Sequence, residues 1–118
     1  MDGVVVQKLI KEVKNEIEVG IKYYSVLSAL NNMKLPRKQI ELLAFTAVRG
    51  TITPLAARQE FVKLFKSSLN SVENIKGKLV AKGLLIKDNG MHKVNPVIAL
   101  DFSKDIVMRV TLRRKKND

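Results

Sequence analysis

The chain has 118 residues, enough for one domain with a modest core, and 46% of them are apolar, which excludes wholesale disorder. Lysine and arginine total 22 against 11 acidic residues, a net charge of +11, so the partner to expect is a polyanion: DNA, RNA or an acidic protein surface. The absence of cysteine excludes disulfides and thiolate metal sites.

Met1 to Lys8 lacks a basic start followed by a long apolar run, so it does not read as a signal peptide. No stretch is long enough to span a bilayer. The expected location is the cytoplasm, or a host cytoplasm or virion for a viral protein.

Residues 4–14 are ambiguous. Val6, Leu9, Ile10 and Val13 fit a helix, whereas Val4 to Val6 prefer a strand. From Asn15, the apolar Ile17, Val19, Ile21 and Tyr23 alternate with Glu16, Glu18, Gly20 and Lys22. That period of two predicts a half-buried strand. Tyr24 to Asn32 reads as a short helix carrying Val26, Leu27 and Leu30, ended by Asn31 and Asn32. Pro36 suits the first position of the next helix, whose inner face is Ile40, Leu43, Ala44 and Ala47, with Gly50 as its stop. Leu35 has no side-chain acceptor to cap it. Thr53 is the expected cap of the following helix, with Pro54 in its first turn and Leu55, Ala57, Phe61, Leu64 and Phe65 on its apolar side.

Lys66 to Ser68 form a turn, and Ser67 or Ser68 can cap a helix over 68–82. Leu69, Val72, Ile75, Leu79 and Val80 make its apolar stripe. Its other face carries Ser67, Asn70, Ser71, Asn74, Gly77, Lys78 and Ala81. Gly83 falls where a left-handed residue belongs, and Leu84 to Ile86 read as a strand. Asp88-Asn89-Gly90 is a tight-turn signal, and His92 to Val94 return as a second strand. Asn95-Pro96 breaks that strand. Ile106, Met108, Val110 and Leu112 alternate with polar or apolar neighbours as another strand, before the basic run Arg113 to Lys116. No repeat, low-complexity segment or linker divides the chain, so 1–118 is expected to be a single domain.

A polar-faced helix running through Lys82-Gly83-Leu84-Leu85 into a hairpin resembles the recognition helix and wing of winged helix-turn-helix proteins. Leu35 to Ala44 resembles the first helix of that superfamily, and Thr51 to Pro54 the short strand and cap before its second. The resemblance covers about residues 35–95. It implies an α+β fold, a winged helix-turn-helix core of three helices and a β-hairpin wing. Residues 1–34 would add an N-terminal strand and helix, 96–112 a C-terminal strand, and 113–118 a basic tail. The small size and charge resemble phage- or plasmid-encoded regulators and replication proteins.

Asn70 and Asn74 are four apart and share one helix face, with Lys78 a turn further on. Asparagine suits adenine edges, lysine suits guanine edges or phosphates, and serine suits either. Gly77 inside a helix costs about 1 kcal/mol relative to alanine. Either a base edge or backbone approaches it closely, or it relieves crowding with a neighbouring helix. Glu73 opposes phosphate contact but can pair with Lys76. The expected double-stranded-DNA contacts are therefore Ser67, Ser68, Asn70, Ser71, Asn74, Gly77, Lys78 and Lys82 on the helix. Lys87, His92 and Lys93 add the wing, and Arg113, Arg114, Lys115 and Lys116 the tail.

No phosphate-cradling glycine loop, His/Cys cluster or activated nucleophile is evident, and Asp101 reads as a local turn or cap former rather than as a metal ligand with Asp105. The expectation is a non-enzyme without cofactor or metal: a regulator or replication accessory protein. The alternative is an assembly protein, such as a viral particle component, that uses the same fold for protein contacts. Its docking edges would be strands 15–23 and 105–113. A homo-oligomer or larger assembly is compatible with either, and neither involves a membrane.

Overall fold

A computed structural model of the chain describes residues 15–100, 102, 111 and 113. These contain four α-helices and one two-stranded antiparallel hairpin, an α+β arrangement. No helix among the described residues is long and apolar enough to cross a membrane.

The first helix, α1 (Glu16–Leu30), replaces the strand expected over 15–23 and absorbs the short helix expected after it. Two features account for the difference. The Asn15 side chain accepts a hydrogen bond from the Glu18 N–H at 2.9 Å, and Glu16 and Glu18 lie where the helix dipole favours anions. The residues that become buried are Gly20, Ile21, Tyr24 and Ser28, with Ile17 and Leu27 packed beside them. That is a helical stripe, and it shares Ile17 and Ile21 with the alternating pattern. Asn31 and Asn32 end the helix as expected, Asn32 at φ 52°.

Helix α2 (Arg37–Arg49) begins one residue later than expected, with Pro36 as the flanking residue rather than the first helical one. It is the centre of the core. Leu42, Leu43, Ala44 and Phe45 are all fully buried, because α1 covers the side of α2 that a single inner face would leave to solvent. Close packing is possible because Gly20 has no side chain. A Cβ there would lie 2.9 Å from the Ala44 Cβ. Gly50, at φ 91°, stops α2.

Helix α3 (Leu55–Phe65) buries Ala57 and Phe61, and Phe61 meets Phe45 edge-on with ring centroids 5.5 Å apart. Leu55 and Leu64, expected on the apolar side, are instead about half exposed (50% and 52%). Thr53 does not cap α3. Pro54 is the flanking residue, and the Thr53 hydroxyl accepts from the His92 N–H at 2.7 Å. The Thr51–Thr53 segment forms no strand but docks on the hairpin, with the Ile52 N–H and the Thr51 hydroxyl both donating to the His92 carbonyl.

Helix α4 (Leu69–Ala81) is capped by Ser68, whose Oγ accepts from the Ser71 N–H at 3.1 Å. Val72, Ile75 and Leu79 are buried. Leu69 and Val80, expected on the same stripe, sit at its edge and remain 40% and 41% exposed. Gly83, at φ 74°, turns the chain into β1 (Leu85–Asp88), which pairs with β2 (Met91–Val94) in the register Leu85↔Val94 to Asp88↔Met91. Asn89 and Gly90 both have positive φ (50° and 77°), which the Asp-Asn-Gly sequence supplies at low cost. Leu84, Leu85 and Val94 anchor the hairpin in the core. Asn95 then bonds back to the Gly83 carbonyl, and a 3-10 turn, Pro96–Ile98, brings the Ile98 carbonyl to the Tyr24 hydroxyl at 2.9 Å. Burial, with Tyr23 beside it, holds the Tyr24 hydroxyl protonated well above the usual tyrosine range. With Pro96–Ile98 in a 3-10 turn, the C-terminal strand expected over 96–112 does not begin at Pro96, and of the segment 105–113 only Thr111 and Arg113 are among the described residues.

Candidate nucleic-acid interface

Helix α4 turns Val72, Ile75 and Leu79 inward, so the residues half a turn away face out. Asn70, Asn74, Gly77, Lys78 and Ala81 are all exposed, and Ser71 is half-buried at the edge of this face. The side chains of Asn70, Asn74 and Lys78 make no hydrogen bond or ion pair among the described residues and are available to a ligand. Ser68 is exposed, but its hydroxyl is engaged as the cap and also donates to the Ser71 Oγ at 3.1 Å; Ser67 is half-buried in the preceding turn.

Gly77 resolves one of the two explanations for a glycine in mid-helix. Among the described residues a Cβ there would meet nothing within 4 Å, so none of their helices requires the gap. Lys82 behaves differently from the rest of the set. Its Nζ donates to the Oε1 of the buried Gln39 at 2.6 Å, which ties the end of α4 to α2.

One edge of α4 is electrostatically occupied. The Lys76 ammonium lies 2.9 Å from Glu73 Oε2, and the Arg58 guanidinium, from α3, lies 3.4 Å from Oε1. The hydrogen bond from Lys76, aided by the charges of Lys76, Arg58 and His92, holds the Glu73 carboxyl below its ordinary value. The repulsion expected between Glu73 and a phosphate is therefore largely cancelled within the protein.

On the hairpin, Lys87 is exposed and sits opposite His92 in the register. Lys93 is half-buried and reaches Asp88 at 3.7 Å, an exposed pair worth little. His92 is half-buried and engaged within the protein. Its backbone holds Thr51, Ile52 and Thr53, and its Nδ1 lies 3.4 Å from the Thr53 hydroxyl. Burial, then the charges of Lys76 and Lys87, keep its ring below the ordinary histidine value, with Glu73 acting in the opposite sense. The Thr51–Thr53 segment and Arg58, which also bonds the Thr53 carbonyl, thus fix the hairpin relative to α3 and α4. Nothing in the local sequence marks them for this role.

Arg113 is exposed; Arg114, Lys115 and Lys116 lie outside the described residues. No group of three or more His, Asp or Glu among the described residues is placed to hold a metal ion. The structure also brings Lys38 and Lys66, absent from the sequence-derived set, to the rim of α4.

No family model matches the chain, and a search of curated proteins and of solved structures returns no match to either.

Proposed function

We propose that this protein is a winged-helix DNA-binding protein that lays the outward face of α4 in the major groove of double-stranded DNA. In this reading the hairpin is the wing, and Lys87 and the basic tail lie on phosphates. The observation that carries the proposal is Gly77, at the centre of an exposed face of asparagines, lysine and alanine, in open space. A helical glycine costs about 1 kcal/mol, and packing among the described residues offers no compensation for it. A base edge or sugar–phosphate backbone approaching from outside does. Asn70 and Asn74 flank the gap with amide groups suited to adenine edges. The charge of +11 supports the same partner.

The test is a mobility-shift titration of the full chain against random duplex and a selected site at several salt concentrations. Log affinity should fall linearly with log salt, by roughly 0.9 per phosphate neutralised. Asn74→Ala should weaken the selected site by about 1–3 kcal/mol and flatten preference between sequences. Undetectable binding at low salt would remove the reading.

One observation favours protein contacts instead. Val26 and Leu30 on α1 are 41% and 48% exposed, a helical surface rather than the strand edge that 15–23 was expected to offer. In an assembly protein this is the face that would be covered.

A further inference from the structure

Between the start of α2, the α3–α4 turn and the first turns of α4 lies a cleft of about 310 Å³. Its polar lining comes from Lys38, Glu41, Lys66, Ser67, Ser68 and Ser71, over a floor of core aromatic and aliphatic side chains. The single acid is already neutralised, since Arg37 Nε donates to Glu41 Oε2 at 3.3 Å. Neither lysine is in an ion pair among the described residues. Two lysines from different elements, unpaired among the described residues, thus line a hollow that is otherwise bordered by serine hydroxyls. Ser71 at its rim and Lys78 are seven residues apart, so the cleft opens along the same side of α4 as the lysine of the proposed reading face.

We infer that this cleft, through Lys38 and Lys66, is a second anchor for the DNA backbone, engaging phosphates of the strand that borders the groove occupied by α4. The inference rests on the DNA-binding reading and deepens it. Cationic and hydroxyl side chains of this kind suit a phosphate diester, and such contacts carry no sequence information. These contacts set the register and orientation of α4 along the duplex, leaving base discrimination to Asn70 and Asn74.

Lys66 offers an unusually clean test. Its φ of 51° is left-handed, a conformation that glycine adopts without penalty. Lys66→Gly therefore removes the charge without straining the turn. Lys38→Gln does the same at an exposed site on α2, and Lys63→Gln, on the solvent side of α3, is a control for loss of charge alone. Full-length variants are titrated with random and selected duplex across salt, alongside melting curves. The Lys38→Gln/Lys66→Gly pair should melt as the parent does and lower the magnitude of the log–log salt slope by about 0.9–1.8. It should weaken both duplexes by the same factor, while Lys63→Gln leaves the slope unchanged. If the parent binds and the pair keeps its slope, or if Lys63→Gln lowers it equally, the cleft is not an anchor although the DNA reading stands. If the parent binds no duplex at any salt, both readings fall together.

Discussion

Two glycines in helices show how one residue type serves opposite ends. Gly20 lets α1 approach α2, because a Cβ would sit 2.9 Å from the Ala44 Cβ, and alanine has no flexible tip that could move aside. A Cβ at Gly77 would meet no side chain or neighbouring element within 4 Å among the described residues. Replacing the two therefore has effects of opposite sign on stability. Gly77→Ala should raise stability by roughly 0.5–1 kcal/mol through helix propensity alone. Gly20→Leu gains similar propensity but must force two packed helices apart, at about 1–3 kcal/mol or more, so it should lower stability. Urea midpoints of the two variants check this. The same Gly77→Ala protein should bind DNA less tightly than the parent, since the new methyl occupies the approach path. A variant that is more stable and binds equally well would show that the gap at Gly77 serves no ligand.

At the scale of the element, the hairpin is tied to the rest of the fold at position 92. His92 holds Thr51, Ile52 and Thr53 through its backbone, and its ring faces Lys76 and Glu73 on α4, Lys87 across the hairpin, and the Thr53 hydroxyl, whose segment also binds Arg58 of α3. The folded protein holds this ring below its ordinary value of 6.5, chiefly through burial. The unfolded chain therefore binds more protons in the window below 6.5. Stability is full above that value, falls as pH drops through the window, and levels off below the folded value. Glu73, held below its ordinary 4.5 by its hydrogen bond from Lys76, adds a second loss at more acidic pH. Denaturation midpoints measured across pH should show both steps in the parent and only the acidic one in His92→Gln. A parent without the step near 6.5, or a variant that keeps it, would remove His92 from this role.

For the molecule as a whole, the charge of +11 acts on folding and binding in opposite directions. Like charges on a chain this small repel in the compact state, and salt screens them over about 10 Å. Added salt should raise the melting temperature of the free protein by on the order of a few degrees while it weakens DNA binding. Calorimetry and the binding titration in the same buffers compare the two. An assembly protein held by the apolar surface of α1 would behave otherwise, since salt would leave its self-association intact or strengthen it.

Much of the region 35–95 could be read locally, because its signals act within a few residues. Ser68 bonds Ser71, Gly50, Gly83 and Gly90 occupy positive φ, and Val72, Ile75 and Leu79 follow the helical period. The outward face of α4 follows from that stripe, so Asn70, Asn74, Gly77 and Lys78 were legible as a set. In α1 two local patterns competed. Ile17 and Ile21 satisfy both period two and the helix, and the Asn15 cap was a signal for the helix that the alternation obscured. Only packing on α2, through Gly20 and Ala44, makes the helical stripe the buried one. Contacts between residues distant in sequence decided the rest. Thr53 is drawn from capping α3 to His92, 39 residues away, and Lys82 is drawn from the outward face of α4 to Gln39, 43 residues away. Leu55 and Leu64 stay exposed because the side of α3 that packs on α2 and α4 is taken by Ala57 and Phe61, with Val62 and Phe65 beside them. The meeting of Lys38 with Lys66 across a cleft belongs to the same class. Local chemistry selects each element and its turns, whereas which polar groups are spent inside the protein and which remain for a partner depends on how those elements pack.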